Sequence, residues 1–201
     1  MSRPLASTFA HLVFIAVAQV LMLPDASALA TEPPLVVQQV STSSGSRHAC
    51  AILNGAAKCW GYNANGQLGN GSYLDSAQPI TVYGLQSGVT AIAVGGYHTC
   101  AVVNGGVRCW GKNADGEVGN GSLDDSPVPA AVQGLSSGVI AIAAGLNHTC
   151  AIVTGGSVRC WGWNSDGQLG NNSTNSTATG APVSVINVAS GATALAAGGY
   201  H

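Results

Sequence analysis

The sequence predicts an all-β protein built from repeats of about fifty residues. The first observation is composition: charged residues make up 7% of the 201-residue chain, which holds 28 glycines and 8 prolines. Helical proteins carry more Lys, Glu and Arg. The second is that cysteines and tryptophans recur at a fixed interval. The third is that short β-like runs alternate with Gly-rich and Asn-Gly turns, which is typical of all-β chains.

The N-terminus has the pattern of a secretory signal peptide over residues 1–30. Arg3 gives the N-terminal region a positive charge, and residues 12–23 form an apolar run. The Ala-Leu-Ala at 28–30 matches the small-residue pattern that signal peptidase cleaves after. The run is shorter than the roughly twenty residues of a membrane span, and an uncleaved anchor is the alternative. We expect a mature chain without a membrane span that is secreted, periplasmic or on the cell surface.

The repeat is visible in the cysteines. Cys50, Cys100 and Cys150 are fifty residues apart, and Cys59, Cys109 and Cys160 follow with spacings of fifty and fifty-one. Landmarks of this kind define period-based architectures. They divide the chain into repeats at about 47–96, 97–146 and 147–198, followed by the start of a fourth. Residues 31–46 are interpreted as a linker or a degraded first strand.

Each repeat contains a predicted β-hairpin that places two cysteines opposite each other. In "HTCAVVNGGVRCWG" at 98–111, Asn104 and Gly105 suit a two-residue type I′ turn because both positions need positive φ. With this turn at the tip, Cys100 faces Cys109. Directly opposite, non-hydrogen-bonded positions bring Cα atoms close enough for a disulfide.

The third repeat tests this pairing. Its loop, Thr-Gly-Gly at 154–156, has one residue more, and its second cysteine is displaced by one, so Cys150 still faces Cys160. An even number of cysteines in an exported chain favours disulfides. We therefore predict three bonds: Cys50–Cys59, Cys100–Cys109 and Cys150–Cys160.

Two metal sites are alternatives. His48, Cys50 and Cys59 are residue types that bind zinc, but no fourth ligand is evident within the repeat. Asp166 and Gly167 resemble part of a calcium loop, but the carboxylates at its first and last positions are missing. We expect no metal and no cofactor.

A period near fifty made of short strands suggests β-propeller blades. The residues also resemble the regulator of chromosome condensation repeat family. In the second repeat the matching residues are Gly95, His98, Thr99, Ala101, Val107, Trp110, Gly111, Asn113, Gly116, Gly119 and Gly121. The resemblance covers about residues 45–201. The cysteines depart from the usual pattern and indicate a secreted, disulfide-containing branch.

The resemblance implies seven-bladed propellers of four-stranded blades. Only three full repeats are present here, so we expect an incomplete propeller and a chain that is part of a longer protein. Self-association that completes a ring is the alternative. The family's nuclear member promotes nucleotide exchange on a small GTPase and contacts chromatin. A net charge of −2 without a basic run argues against nucleic acid as a partner.

The predicted function is a secreted, non-catalytic binding module for a protein or for a cell-envelope or other polysaccharide. Propeller loops carry recognition, and the most variable loops contain the candidate binding residues Tyr73, Asp75, Asp124, Asp125 and Trp163. A structural or adhesive surface array is the main alternative; nucleotide exchange or hydrolysis is less favoured. The mature histidines all occupy one repeat position, whereas a catalytic site combines different groups.

Overall fold

A computed structural model describes residues 34–175 and 179–201, and the predicted signal peptide over residues 1–30 lies outside them. Residues 35–201 form one compact unit. Its twelve strands are β1 Val37–Ser41, β2 His48–Leu53, β3 Ala56–Gly61, β4 Ser76–Thr81, β5 Val89–Val94, β6 His98–Val103, β7 Gly106–Gly111, β8 Ser126–Ala131, β9 Val139–Ala144, β10 His148–Val153, β11 Ser157–Gly162 and β12 Thr179–Ser184. Among the described residues no helix is long and apolar enough to cross a membrane.

The strands form three four-stranded antiparallel sheets, each following chain order: β1-β2-β3-β4, β5-β6-β7-β8 and β9-β10-β11-β12. Within each sheet, consecutive strands pair because the connection between them returns the chain beside the strand it has just left. Each sheet is one propeller blade, and the three blades of the described part do not close a ring. The predicted all-β fold of propeller-type blades is confirmed.

Blades and sequence repeats are out of phase by one strand. The predicted repeat 47–96 contains β2, β3 and β4 of the first blade, but its last strand, β5, is the first strand of the second blade. In the first blade this position is filled by β1, which lies in the segment interpreted as a linker or degraded strand. Each repeat boundary therefore falls inside a sheet, so consecutive repeats are joined by backbone hydrogen bonds.

The predicted hairpins are present with the predicted pairing. Asn104 and Gly105 have φ of 50° and 79°, as a type I′ turn requires. Cys100 pairs with Cys109, and Cys150 pairs with Cys160 across the longer third turn. All three predicted disulfides are formed, with Cα–Cα distances of 4.1 Å. These sulfur atoms lie in the core rather than at the surface.

Apolar layers between neighbouring blades form the core. Ile52 and Leu68 of the first blade pack with Ile92 and Trp110 of the second. Val102 and Val118 of the second blade form the equivalent layer with Trp161 of the third. Burying side chains of this size contributes about 1.5–3 kcal/mol each. The blades are thus held together mainly by face-to-face burial.

A tryptophan marks each of these two interfaces. The indole Nε1 of Trp110 donates to the carbonyl of Gln67 in the preceding blade at 2.8 Å. The ring fits only because Gly69 lies beneath it: a Cβ at this glycine would be 2.7 Å from Nε1. Trp161 repeats the contact with the carbonyl of Glu117, above Gly119. We call Gly69 and Gly119, with the carbonyl two residues before each, indole notches.

Candidate functional site

The long loop between the third and fourth strands of each blade is held by one asparagine. Asn63 accepts the N–H of Leu68 at 2.8 Å and donates to the carbonyls of Ser72 and Leu74 at 2.8 and 3.0 Å. Asn113 makes the equivalent contacts in the second blade, and Asn164 makes two of them in the third. These buried amides give the loops one repeated conformation, which supports side chains that differ between blades.

Two of the candidate binding residues have structural roles in these loops. The Asp75 carboxylate accepts the backbone N–H of Asn63 at 2.8 Å, and the Asp125 carboxylate accepts that of Asn113 at the same distance. The second oxygen of Asp125 accepts from Asn65 of the preceding blade at 2.9 Å. Both carboxylates therefore brace the loops, and Asp125 also joins two blades.

Two further candidates are exposed, as Asp75 and Asp125 are. Tyr73 lies on the surface of the first β3–β4 loop. The carboxylate of Asp124 accepts from the Ser122 hydroxyl at 3.0 Å and is also exposed. Their role in binding stays a prediction.

The fifth candidate, Trp163, belongs to a different surface. Three residue pairs extend the central hairpins by one step: the N–H of Tyr62 donates to the Arg47 carbonyl at 2.9 Å, that of Lys112 to Tyr97 at 2.9 Å, and that of Trp163 to Asn147 at 2.8 Å. We call these six residues the rim. The rim includes tyrosine, tryptophan and arginine side chains, which are enriched at protein interfaces.

The best-defined part of the rim spans the first and second blades. The Arg47 guanidinium lies 5.2 Å from the centre of the Tyr62 ring, within cation–π range. The rings of Tyr62 and Tyr97 are 6.5 Å apart in an edge-to-face arrangement. Arg47 is exposed and the two tyrosines are half-buried. The cluster therefore presents ordered aromatic surface beside a positive charge.

Lys112, the rim residue of the second blade that follows Trp110-Gly111, forms ion pairs with Asp115 and Glu117. Its ammonium group lies 2.6 Å from Asp115 and 2.8 Å from Glu117, and the Glu117 side chain is fully buried. Burial opposes the charged form of Lys112, but the hydrogen bonds to the two carboxylates raise its pKa overall. Gln67 and Gln168 occupy the Glu117 position in the other blades. The charge pair is therefore specific to the second blade.

The repeated histidines link neighbouring blades. Nε2 of His48 lies 2.7 Å from the Thr99 hydroxyl, which itself donates to the Gln67 carbonyl at 3.0 Å. The hydroxyl proton is thereby used, so Nε2 of His48 carries the hydrogen that Thr99 accepts. Burial lowers the pKa of His48 to about 4 and that of His98 to about 3. Both side chains are therefore neutral at pH 7.

The zinc alternative is not supported by this geometry. Cys50 and Cys59 are joined in a disulfide, and His48 is held by Thr99. Within the described ranges no three His, Cys, Asp or Glu side chains lie close enough to share a metal ion. The repeated histidine and cysteines form the scaffold.

The sequence pattern predicted Trp163 as a candidate binding residue, but it did not single out the other rim residues Tyr62, Tyr97, Arg47 and Lys112. One signal was available. The residue between the repeated Trp-Gly and Asn is Tyr62, Lys112 or Trp163, although its neighbours scarcely change. A variable position inside a constant motif is typical of a surface side chain on a fixed support. The contact between Tyr62 and Tyr97 joins two blades and needed the tertiary structure.

Comparisons with known proteins agree with this architecture. Models described as "Regulator of chromosome condensation (RCC1) repeat" match residues 54–102, 104–152 and 155–201, and a second model of that description matches 89–117 and 139–168. No curated protein sequence matches the chain.

Two solved structures illustrate the likeness. Human WBSCR16 is 25% identical with a TM-score of 0.64, over 75% of this chain and 39% of that protein. Yeast RCC1 (Prp20), solved bound to Kap60, is 23% identical with a TM-score of 0.68, over 84% of this chain and 41% of that protein. The chain thus spans about two fifths of the length of these structures. With three repeat matches that together cover most of its residues, the chain belongs to the regulator of chromosome condensation (RCC1) repeat family.

Proposed function

We propose that this chain is an exported, non-catalytic binding module that contacts a protein partner through the rim. The observation that carries the proposal is the Arg47–Tyr62–Tyr97 cluster. Tyrosine and arginine are the residue types that most often dominate binding energy at protein interfaces. Here they are held by contacts to one another, so less side-chain entropy is lost on binding.

The rigid hairpins that carry the rim also favour a binding function. The backbone of each rim pair is hydrogen-bonded, and each pair lies directly beyond a disulfide-linked hairpin. Recognition residues on a rigid scaffold bind with a smaller ordering cost. Disulfides form and persist in oxidising compartments, so the three buried disulfides also favour export.

Protein binding has a precedent among similar structures. The yeast Prp20p structure, 20% identical with a TM-score of 0.66, is described with its binding properties to Gsp1p and histones. Likeness at this level supports the fold alone, so the partner of this chain is inferred from its own rim. A cell-envelope polysaccharide is the second candidate, because tyrosine faces also stack on sugar rings.

The proposal is tested by comparing how much ligand the wild type and the rim variants capture. The chain, produced through an oxidising export route, is immobilised and exposed to secreted and envelope fractions of its source. We expect a saturable protein ligand that is retained by the wild type but weakened at least about tenfold by Tyr62→Ala with Tyr97→Ala. The matched control is Tyr83→Ala, because Tyr83 is 68% exposed and lies on the β4–β5 connection, outside the rim.

Other outcomes favour the alternatives. Bound material that survives protease but is destroyed by periodate would identify a polysaccharide. Adhesion without saturation, unchanged by the rim variants, would favour a structural or adhesive array and contradict the proposal. Hydrolysis or nucleotide exchange by the purified chain, abolished by substitution of an acidic loop residue such as Asp124, would contradict its non-catalytic part.

A further inference from the structure

Outside the rim, the cationic side chains of the described blades occupy one repeated position. Lys58, Arg108 and Arg159 are each the third residue of the third strand of a blade. Arg108 and Arg159 are exposed, although the residues on both sides of each are buried. Neither arginine forms an ion pair within the described residues, where both ion pairs belong to Lys112. The packing of the blades therefore does not account for this repeated charge.

The acidic side chains lie at the opposite end of the strands. Arg108 pairs with Ala131, the last residue of β8, whereas Asp125 directly precedes the first residue of that strand. A six-residue strand is roughly 20 Å long, and exposed charges are screened over about 8 Å at physiological salt. The carboxylates therefore do not neutralise these cations. The six acidic side chains of the described residues all belong to the loops that follow the third strands: Asp75, Asp115, Glu117, Asp124, Asp125 and Asp166.

Two exposed hydroxyl groups lie between the two arginines. The β8–β9 connection contributes Ser136 to a groove of about 130 Å³ beside Arg108. The same connection contributes Ser137 to a groove of about 280 Å³ beside Arg159. Both serines are exposed. The connection thus places hydrogen-bonding side chains between one guanidinium group and the next.

The β8–β9 connection is fixed to both blades that it joins. The Leu135 carbonyl accepts the N–H of Val107 in the second blade at 2.8 Å. The Gly138 carbonyl accepts the N–H of Thr154 in the third blade at 2.7 Å. Because the backbone between the two arginines is held at both ends, a ligand that spans them would order little additional chain.

The same arrangement precedes Arg108. Gln86 and Ser87 of the β4–β5 connection occupy the positions equivalent to Ser136 and Ser137, between the first and second blades. Both are exposed, and neither connection contains an acidic residue. We call the three repeated cations, together with these two pairs of polar residues, the cationic row: Lys58, Gln86, Ser87, Arg108, Ser136, Ser137 and Arg159.

The spacing of the cationic row favours a sparsely charged polymer. Stacked sheets lie about 10 Å apart, so cations that recur once in each blade are separated by at least about that distance. Double-stranded DNA carries one charge for about every 1.7 Å of its axis and requires a denser basic surface. An acidic polysaccharide, in contrast, separates its anionic groups by neutral sugars that carry hydroxyl groups.

The chemistry of the cationic row favours the same class of ligand. A guanidinium group binds a carboxylate or sulfate through two parallel hydrogen bonds. Serine hydroxyls and a glutamine amide both donate and accept, as sugar hydroxyls require. The alternation of one cation with two neutral polar side chains therefore matches the alternation of charged and neutral groups along an acidic polysaccharide.

We propose that the cationic row binds a linear acidic polysaccharide, whose anionic groups contact Arg108 and Arg159 and whose neutral sugars cross Ser136 and Ser137. The row lies near the hairpin turns, whereas the rim lies at the other end of the same hairpins. The proposal is therefore independent of the proposed function of the rim.

The experiment is a titration of labelled hyaluronan, a linear polysaccharide with one carboxylate for every two sugars, with the purified chain. We expect saturable binding that weakens as salt is added. Carboxyl-reduced hyaluronan has the same backbone without the charge and is expected not to bind. Arg108→Gln with Arg159→Gln should weaken binding of hyaluronan at least about tenfold, because two charge-assisted contacts are lost.

Matched variants at the same positions separate the effect of charge from that of folding. Arg108→Lys with Arg159→Lys keeps both charges and should bind within about threefold of the wild type, since lysine occupies this position in the first blade. Ser136→Ala with Ser137→Ala removes two neutral donors and should weaken binding about threefold. Circular dichroism checks that every variant is folded.

Four results would overturn the proposal. The first is the absence of saturable binding to hyaluronan, and the second is equal affinity of the wild type and the double glutamine variant. The third is loss of binding in Tyr62→Ala with Tyr97→Ala while the arginine variants still bind, because the polysaccharide would then occupy the rim. The fourth is tighter binding of single-stranded DNA than of hyaluronan, which would identify nucleic acid as the ligand.

Discussion

Nε2 of His98 in the second blade lies 2.8 Å from the hydroxyl of Thr149 in the third blade. The same contact joins His48 to Thr99 one blade earlier. Residues some fifty positions apart thus meet because blade stacking superimposes equivalent repeat positions. Since both imidazoles are buried, these contacts couple blade packing to the protonation of histidine.

Acid pH is expected to destabilise the fold through these histidines. Burial lowers the pKa of His48 from 6.5 to about 4 and that of His98 to about 3. Between pH 6.5 and these values the unfolded chain binds protons that the folded chain does not. Stability is therefore full above pH 6.5 and falls as pH decreases, by up to about 1.4 kcal/mol per pH unit for each histidine.

Urea unfolding at pH 7.5, 6.5 and 5.5 measures this slope before most carboxylates titrate. His98→Gln is expected to reduce the slope, because one proton-binding group is removed. An unfolding midpoint that stays constant between pH 7.5 and 5.5 would contradict the prediction.

The indole notches are expected to tolerate no side chain. Gly69→Ala forces a Cβ to 2.7 Å from the Trp110 nitrogen at φ +68°, whereas Gly84→Ala has nearly the same φ, +70°, with nothing within 4 Å. Both substitutions cost about 1–2 kcal/mol for the left-handed backbone. Gly69→Ala costs about 1–3 kcal/mol more through overpacking. Chemical denaturation of the two variants isolates this difference, and equal stabilities would refute the steric account.

Loss of a hairpin disulfide should destabilise the chain without changing its fold. Cys100→Ala with Cys109→Ala opens a loop with a sequence separation of 9. The expected cost is about 2–3 kcal/mol from loop-closure entropy. Denaturant midpoints of the double variant and the wild type give this value.

Full reduction of the unfolded wild type should add roughly six mass units, two hydrogens for each of the three bonds. No mass gain would contradict the pairing.

The charge pair in the second blade is expected to behave as a unit. Lys112→Ala leaves the buried Glu117 carboxylate without its cation and should cost about 2 kcal/mol, less than for a fully buried pair. Glu117→Gln in the same chain should restore most of this loss, because glutamine occupies that position in the other blades. A double-mutant cycle by urea unfolding measures the coupling. Additive single effects would show that the two residues act independently.

The sequence by itself determined the local structure of this protein. Asn104 and Gly105 specify a turn through their own backbone preferences, and that turn brings Cys100 opposite Cys109. Cys160 lies one residue later than the repeat spacing requires, and the turn before it is one residue longer. Because the two changes offset each other within the same hairpin, the sequence also predicted that Cys150 faces Cys160. All of these relationships lie within about ten residues of chain, where turn chemistry decides which positions meet.

The tertiary structure alone decided what joins one blade to the next. Trp110 meets the Gln67 carbonyl 43 residues away, and Tyr62 meets Tyr97 across a blade boundary. No local preference specifies such pairs; they follow from the rotation and spacing of stacked sheets. The first strands of the second and third blades also come from the preceding sequence repeat, which the period could not reveal, since a repeating pattern has no preferred starting point.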